Sequence, residues 1–218
     1  MIVYYMCTYY SQWAHNNIAP RSQDQWYSFK FCRAVKSRLI NGTLTFPWNT
    51  GPEVINSQSV GRARWIFGLF IQRTLANLHL PNPILVPVPS KDGLLNAQTF
   101  RSLEMVQEAI ATHGNWIIAP VLRFSQALQP ANAGGPRGRE ALRPYMRVLC
   151  DAPPGQIVLV DDIITSGGSL LASYDALAAI GRPPIAAIVC GHTVSDSLLS
   201  AFGLHQKNVD TAPQAVQF

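Results

Sequence analysis

The chain has 218 residues, 48% hydrophobic and 13% charged, enough apolar content to bury one sizeable core with a small appended subdomain, which excludes a disordered polymer. A formal net charge of +5 and a pI near 9.2 suit an anionic partner such as a phosphorylated metabolite, nucleic acid or an acidic surface. No apolar run approaches the roughly 20 residues of a membrane-spanning helix, and the opening MIVYYMCTYY has neither a basic start nor a small-residue cleavage pattern, so a cytoplasmic protein with no membrane partner is expected.

Residues 1–56 combine turn formers with Trp13, Trp26 and Trp48 and read as short strands and loops of an N-terminal subdomain. From Ser59 the apolar positions Phe67, Phe70, Ile71, Leu75 and Leu78 recur at helical spacing until Pro81 and Pro83 stop the run. Ile84 to Val88 reads as a strand, Phe100, Leu103, Val106 and Ile110 as one helical face, and Trp116 to Leu122 as another strand. After an irregular Gly/Pro/Arg segment, 125–147, come the apolar strand Ile157 to Val160, a helix marked by Leu170, Tyr174 and Leu177, and the strand Ile185 to Cys190. Such alternation predicts βαβ crossovers and an α/β fold with a doubly wound, mostly parallel sheet covered on both faces, whose ligands bind outside the carboxyl ends of the strands. The expected division is an N-terminal subdomain (1–56), an α/β core (57–195) and a polar tail (196–218) whose end, from Gly203, frays.

Two compositional features bear on chemistry. Residues 121–150 carry Arg123, Arg137, Arg139, Arg143 and Arg147 against Glu140 alone, a local excess of +4. Cys7, Cys32, Cys150 and Cys190 are far apart in sequence with no CxxC pair, so reduced, mostly buried thiols are expected and a structural zinc site is not.

The sharpest motif is IVLVDDIITSGGSLL, residues 157–171, in which an apolar strand ends in Asp161 and Asp162 and turns through Thr165, Ser166, Gly167, Gly168 and Ser169 into a helix. The glycines permit positive φ and close backbone approach, the hydroxyls add donors, and the helix start offers unpaired amides to an anion. Paired carboxylates beside a phosphate cradle suit a phosphorylated sugar with Mg²⁺. The run is not a Walker loop, lacking Gly-Lys-Ser/Thr, nor a dinucleotide fingerprint, since its acids precede its glycines. Upstream, a strand running into Ser90, Lys91, Asp92 and Gly93 offers amides and one ammonium to a diphosphate, an exposed turn lysine being the plain alternative.

Ile157 to Ser169 resembles the phosphoribosyl pyrophosphate (PRPP) signature of the type I phosphoribosyltransferases, and LVPVPSKDG, residues 85–93, resembles that family's first strand and pyrophosphate loop, with a VPVP form similar to the ComF-like branch. The likeness covers roughly residues 80–195, about half of the chain. It implies transfer of the 5-phosphoribosyl group from Mg²⁺-PRPP to a nitrogen acceptor, a base or an amine, with release of pyrophosphate. It further implies that Asp161 and Asp162 hold ribose hydroxyls and meet the metal through these or water. Thr165 to Ser169 would cradle the 5-phosphate and Ser90 to Gly93 the pyrophosphate. Residues 125–147, with Gly134, Gly135 and Gly138, correspond to the flexible catalytic loop, in which one or two of Arg137, Arg139, Arg143 and Arg147 act; Asp161, Asp162, Arg137 and Arg139 are the expected catalytic set.

The N-terminal subdomain would act as the hood that selects the acceptor, and the family's habit makes a homodimer an expectation. Two departures stand out: Thr165 occupies the place of an Asp in the hypoxanthine-guanine branch, and the ComF-like four-cysteine zinc element is missing from this N-terminus. Cys7 lies inside the chain, unlike the terminal nucleophile of the glutamine-using amidotransferases. A PRPP-sensing regulator without catalysis, acting on a protein or nucleic-acid partner through the basic loop, and a ComF-like factor in DNA uptake are the alternatives. His192, after the last strand, is read as structural, with a place in the acceptor pocket as the rival reading.

Overall fold

The computed structural model describes residues 1–10, 21–48, 51–80, 82–114, 116–129, 134–194 and 199–212. Its strands are β1 (Ile2–Tyr9), β2 (Leu44–Trp48), β3 (Gly51–Ile55), β4 (Pro83–Pro87), β5 (Ile117–Ile118), β6 (Leu122–Phe124), β7 (Met146–Val148), β8 (Gln156–Ile164), β9 (Ala186–Thr193) and β10 (Phe202–Asn208). Six of them form one sheet in the order β10-β1-β9-β8-β4-β5, parallel throughout except that β10 runs antiparallel to β1. The pairs β2–β3 and β6–β7 make separate antiparallel ribbons.

Buried strands of a parallel sheet need apolar residues on both faces, and β4, β8 and β9 supply them as near-continuous runs. Alternation then sends Leu85, Val158, Val160, Ile188 and Cys190 to one core and Ile84, Val86, Ile157, Leu159, Ala187 and Val189 to the other. The first core is roofed by α1 (Gln23–Ser37), α2 (Gly61–Asn77) and α3 (Arg101–Ile110). The second is covered by the β6–β7 ribbon, the single turn α4 (Arg139–Leu142) and α5 (Gly168–Ala179). The result is an α/β fold with a mostly parallel central sheet and helices on both faces.

Three expectations change. Residues 1–56 do not fold apart from the core: β1 is an interior strand between β9 and β10, because Val3, Tyr5, Met6 and Cys7 are apolar and buried and must have neighbours on both sides. The segment read as loops also holds the 15-residue α1, started by a capping box in which Ser22 N–H donates to Gln25 Oε1 at 2.8 Å and Gln25 N–H to Ser22 Oγ at 3.3 Å. Even the β2–β3 ribbon plants Leu44, Phe46 and Ile55 in the helix-side core. Trp26 is exposed on α1, Trp48 packs on Phe46 at 5.0 Å between ring centroids, and Trp13 lies outside the described residues.

The tail from Gly203 is a strand over most of its described length, since β10 pairs with β1 through Asn208. Within segment 125–147, the residues from Arg139 onward form α4, a 3-10 turn (Arg143–Tyr145) and the start of β7; residues 130–133 lie outside the described set. Among the described residues no helix is long and apolar enough to cross a membrane.

Candidate anion-binding cleft

At the carboxyl ends of the adjacent strands β8 and β4 a cleft of about 410 Å³ opens, within the ~300–1,000 Å³ of small-molecule sites. Its floor is the junction from β8 into α5, where Asp161, Asp162 and all of Thr165 to Ser169 line it. Gly167 makes the turn in the left-handed region, φ +81°, which a side chain would resist, and so aims the first amides of α5 at the opening. Gly168 answers a different demand: a Cβ there would lie 2.7 Å from Gly138 Cα, so the basic arm rests directly on the turn. Thr165 Oγ1 meets Thr193 Oγ1 at 3.1 Å, tying the ends of β8 and β9.

The two carboxylates differ. Asp162 forms a 2.8 Å ion pair with Lys36 of α1 and accepts the Ile163 amide at 2.6 Å. Asp161 accepts the Asp162 amide at 2.8 Å, but burial and the neighbouring Asp162 charge raise its pKa to about 8, against the opposing pull of that amide, Lys36 and Arg101. The pair therefore carries well under two negative charges at neutral pH.

The rim is cationic. Lys36, Lys91, Arg101 and Arg137 all line the cleft. Lys91 Nζ donates to the Gln129 carbonyl at 3.0 Å, and its pKa is lowered by burial and then by the positive charges of Lys36, Arg101 and Arg137. Four cationic side chains lining one cleft make a site suited to a multivalent anion.

The loop after β4 is clipped onto α3. Ser90 N–H donates to Ser102 Oγ and Ser102 N–H to Ser90 Oγ, each at 3.2 Å, while Asp92 accepts the Ser90 hydroxyl at 2.5 Å and the Arg101 amide at 2.9 Å. Of the expected pyrophosphate residues, Ser90 and Lys91 therefore face the cleft, whereas Asp92 caps α3 and the buried Gly93 packs against Pro89 and Phe100.

Among the arginines, Arg137 lines the cleft and Arg139 does not. Arg139 is buried in a bidentate pair with Asp175 of α5, at 2.6 and 2.8 Å, and donates to the Thr211 and Ala212 carbonyls. Arg143 is exposed near Glu140, and Arg147 bonds the Pro144 and Met146 carbonyls, so neither lines the cleft. His192 is likewise absent from the lining: its Nε2 accepts from Lys207 at 3.1 Å, its ring lies 5.1 Å from Tyr5, and burial and Lys207 lower its pKa to about 4.

Two cleft residues escaped the sequence reading. Lys36 sits on α1, whose start was signalled by Ser22 and Gln25 three residues apart. Arg101 opens α3, and only the docking of the Ser90–Gly93 loop against that helix brings it to the cleft. No protein-family model matches the chain and no curated protein matches it, so the chemistry of the cleft is argued from its residues.

Proposed function

We propose that this cleft binds PRPP with Mg²⁺ and that the protein transfers the 5-phosphoribosyl group to a nitrogen acceptor, releasing pyrophosphate. One observation carries the reading: the Thr165–Ser169 turn, the Asp161–Asp162 pair and the cations Lys91, Arg101 and Arg137 line a single cleft at the ends of neighbouring strands. A 5-phosphate on the α5 amides, ribose hydroxyls on the two aspartates and a diphosphate among the cations match that order of groups.

In this reading the ribose C1–O bond breaks with oxocarbenium character and its electron pair departs on the pyrophosphate, while the acceptor nitrogen bonds to C1 and gives up its N–H proton to the departing pyrophosphate or to water. Asp161 and Asp162 hold the ribose hydroxyls and orient C1. Lys91, Arg101 and Arg137 neutralise the departing charge, and the arm over Gly168 keeps water from C1. The donor set fits a metal met through water or ribose hydroxyls, because Asp162 is tied to Lys36 and Asp161 is pushed toward its protonated form. When bound, Mg²⁺ supplies Lewis-acid neutralisation of the diphosphate.

A second reading, a PRPP sensor without turnover, is favoured by one feature. Asp161 and Asp162, both assigned to the ribose, are the acids among the described cleft-lining residues, and the Thr165 hydroxyl is turned to Thr193, so no described lining residue is left as a general base toward the acceptor. The test is thermal unfolding with Mg²⁺-PRPP, for the parent chain and an Asp161→Asn, Asp162→Asn variant. Ligand at 100 times its dissociation constant should add about 2.7 kcal/mol, or roughly 5–10 °C for a domain of this size. A shift confined to the parent chain supports the site, and pyrophosphate release with a panel of acceptors then separates enzyme from sensor. No shift at millimolar PRPP would overturn both readings.

A further inference from the structure

Cys7 in β1, Cys32 in α1 and Cys190 in β9 come from three elements, yet their Sγ atoms all lie within 4.8 Å of one another, with Cys32 and Cys190 3.9 Å apart. All three are fully buried, while Cys150 is exposed and apart from them. Isolated core thiols pack as small apolar groups. Three converging ones require special construction, and two features provide it.

Met6 and Cys7 are consecutive in β1 yet both join the helix-side core, although strand residues normally alternate faces, and the register of β1 against β10 shifts between Tyr5 and Cys7. Position 191 is a glycine inside β9 whose added Cβ would lie 2.6 Å from Cys32 Sγ, so the missing side chain is the room the sulfur occupies.

We propose that Cys7, Cys32 and Cys190 form a three-thiolate site for a soft, thiophilic metal ion, with Cu(I) the best match. An equilateral triangle of sulfurs with the observed 3.9 Å edge puts its centre about 2.25 Å from each corner, close to the ~2.3 Å of a metal–thiolate bond. The other edges need contract by less than an ångström to reach it. No fourth Cys, His or carboxylate joins the group among the described residues; the Ser28 hydroxyl, one turn before Cys32, donates to the Thr8 carbonyl and lies within hydrogen-bonding reach of Cys7. Zinc prefers four ligands, whereas Cu(I) is satisfied by three thiolates. Loading releases thiol protons, so uptake is favoured as pH rises. Lys36, one turn on from Cys32, pairs with Asp162, so one helix reaches both the thiol cluster and the cleft.

The burial of all three sulfurs means that metal enters as the chain folds, so the full chain is unfolded anaerobically, refolded with Cu(I)-glutathione and desalted. The expected result is retention of roughly one copper per chain, sulfur-to-copper charge-transfer absorption, three sulfur neighbours by X-ray absorption, and a raised Tm. Cys150→Ser should keep the metal and Cys32→Ser should lose it. If Cys32→Ser fails to refold, the sulfur count in the parent chain decides. Retention of copper by Cys32→Ser, a shell of nitrogen and oxygen, a full equivalent of zinc taken up in preference to copper, or refolded copper-free protein with all thiols still titrating after unfolding would each overturn the site.

Discussion

Asp161 and Arg139 are the side chains whose roles diverge most from their sequence appearance. Asp161 titrates near 8 in the fold and near 3.8 when unfolded. Below about pH 4 both states are protonated and the group is neutral to stability. Between about pH 4 and 8 the unfolded chain ionises and the folded one does not, so stability falls with rising pH and then levels. Asp161→Asn should therefore leave Tm unchanged at pH 4 and raise it progressively to pH 8, read by calorimetry across that range. For the arginines, Arg139→Ala leaves the half-buried Asp175 unpaired and frees the Thr211 and Ala212 carbonyls, and a loss of about 1.5–3 kcal/mol in urea unfolding is expected. Arg137→Ala, at an exposed rim position, should cost at most about 1 kcal/mol of stability but weaken Mg²⁺-PRPP binding about 10- to 100-fold, as loss of a charge-assisted contact does. Equal stability losses in the two variants would contradict this division.

Among the elements, the α5 start and the arm form one device because Gly168 and Gly138 touch backbone to backbone. Neither backbone can yield to a Cβ, so Gly168→Ala must push the arm outward. A loss of about 1–3 kcal/mol, the range for overpacking, together with weaker PRPP binding measured by calorimetry, is expected. Unchanged affinity would mean that the arm does not act on the ligand. Helix α1 has a double duty: its buried face carries Cys32 into the thiol cluster and its last turn carries Lys36 to Asp162. Arg64 of α2 ties its end, donating to the Val35 carbonyl at 2.8 Å and pairing with Glu108 of α3 at 3.1 Å, so one side chain links α1, α2 and α3.

For the whole molecule, Met1 and Val209 extend the β1–β10 ladder: the Met1 nitrogen donates to the Val209 carbonyl and the Val209 amide to the Met1 carbonyl, each at 2.9 Å. Ending the chain at Ala201 would strip one edge of β1 and remove the carbonyls that Arg139 binds. Loss of cooperative unfolding and self-association through the bared edge are expected, checked by near-UV circular dichroism and size-exclusion chromatography. A soluble, cooperatively unfolding product would show that β10 is dispensable. The strands β4, β8 and β9, the helices α2, α3 and α5 and the Asp161–Ser169 turn were legible in the sequence because their signals are local: apolar runs, helical spacing, and glycine where φ must be positive. β10 was not, since an edge strand is held by backbone hydrogen bonds that any residue can make, and its composition reads as a polar tail. Nor could local pattern reveal which distant side chains meet. Lys36 and Arg101 at the cleft, Arg139 on Asp175 and the three converging thiols all depend on the order in which strands enter the sheet, and that order is settled only when the two cores close around it.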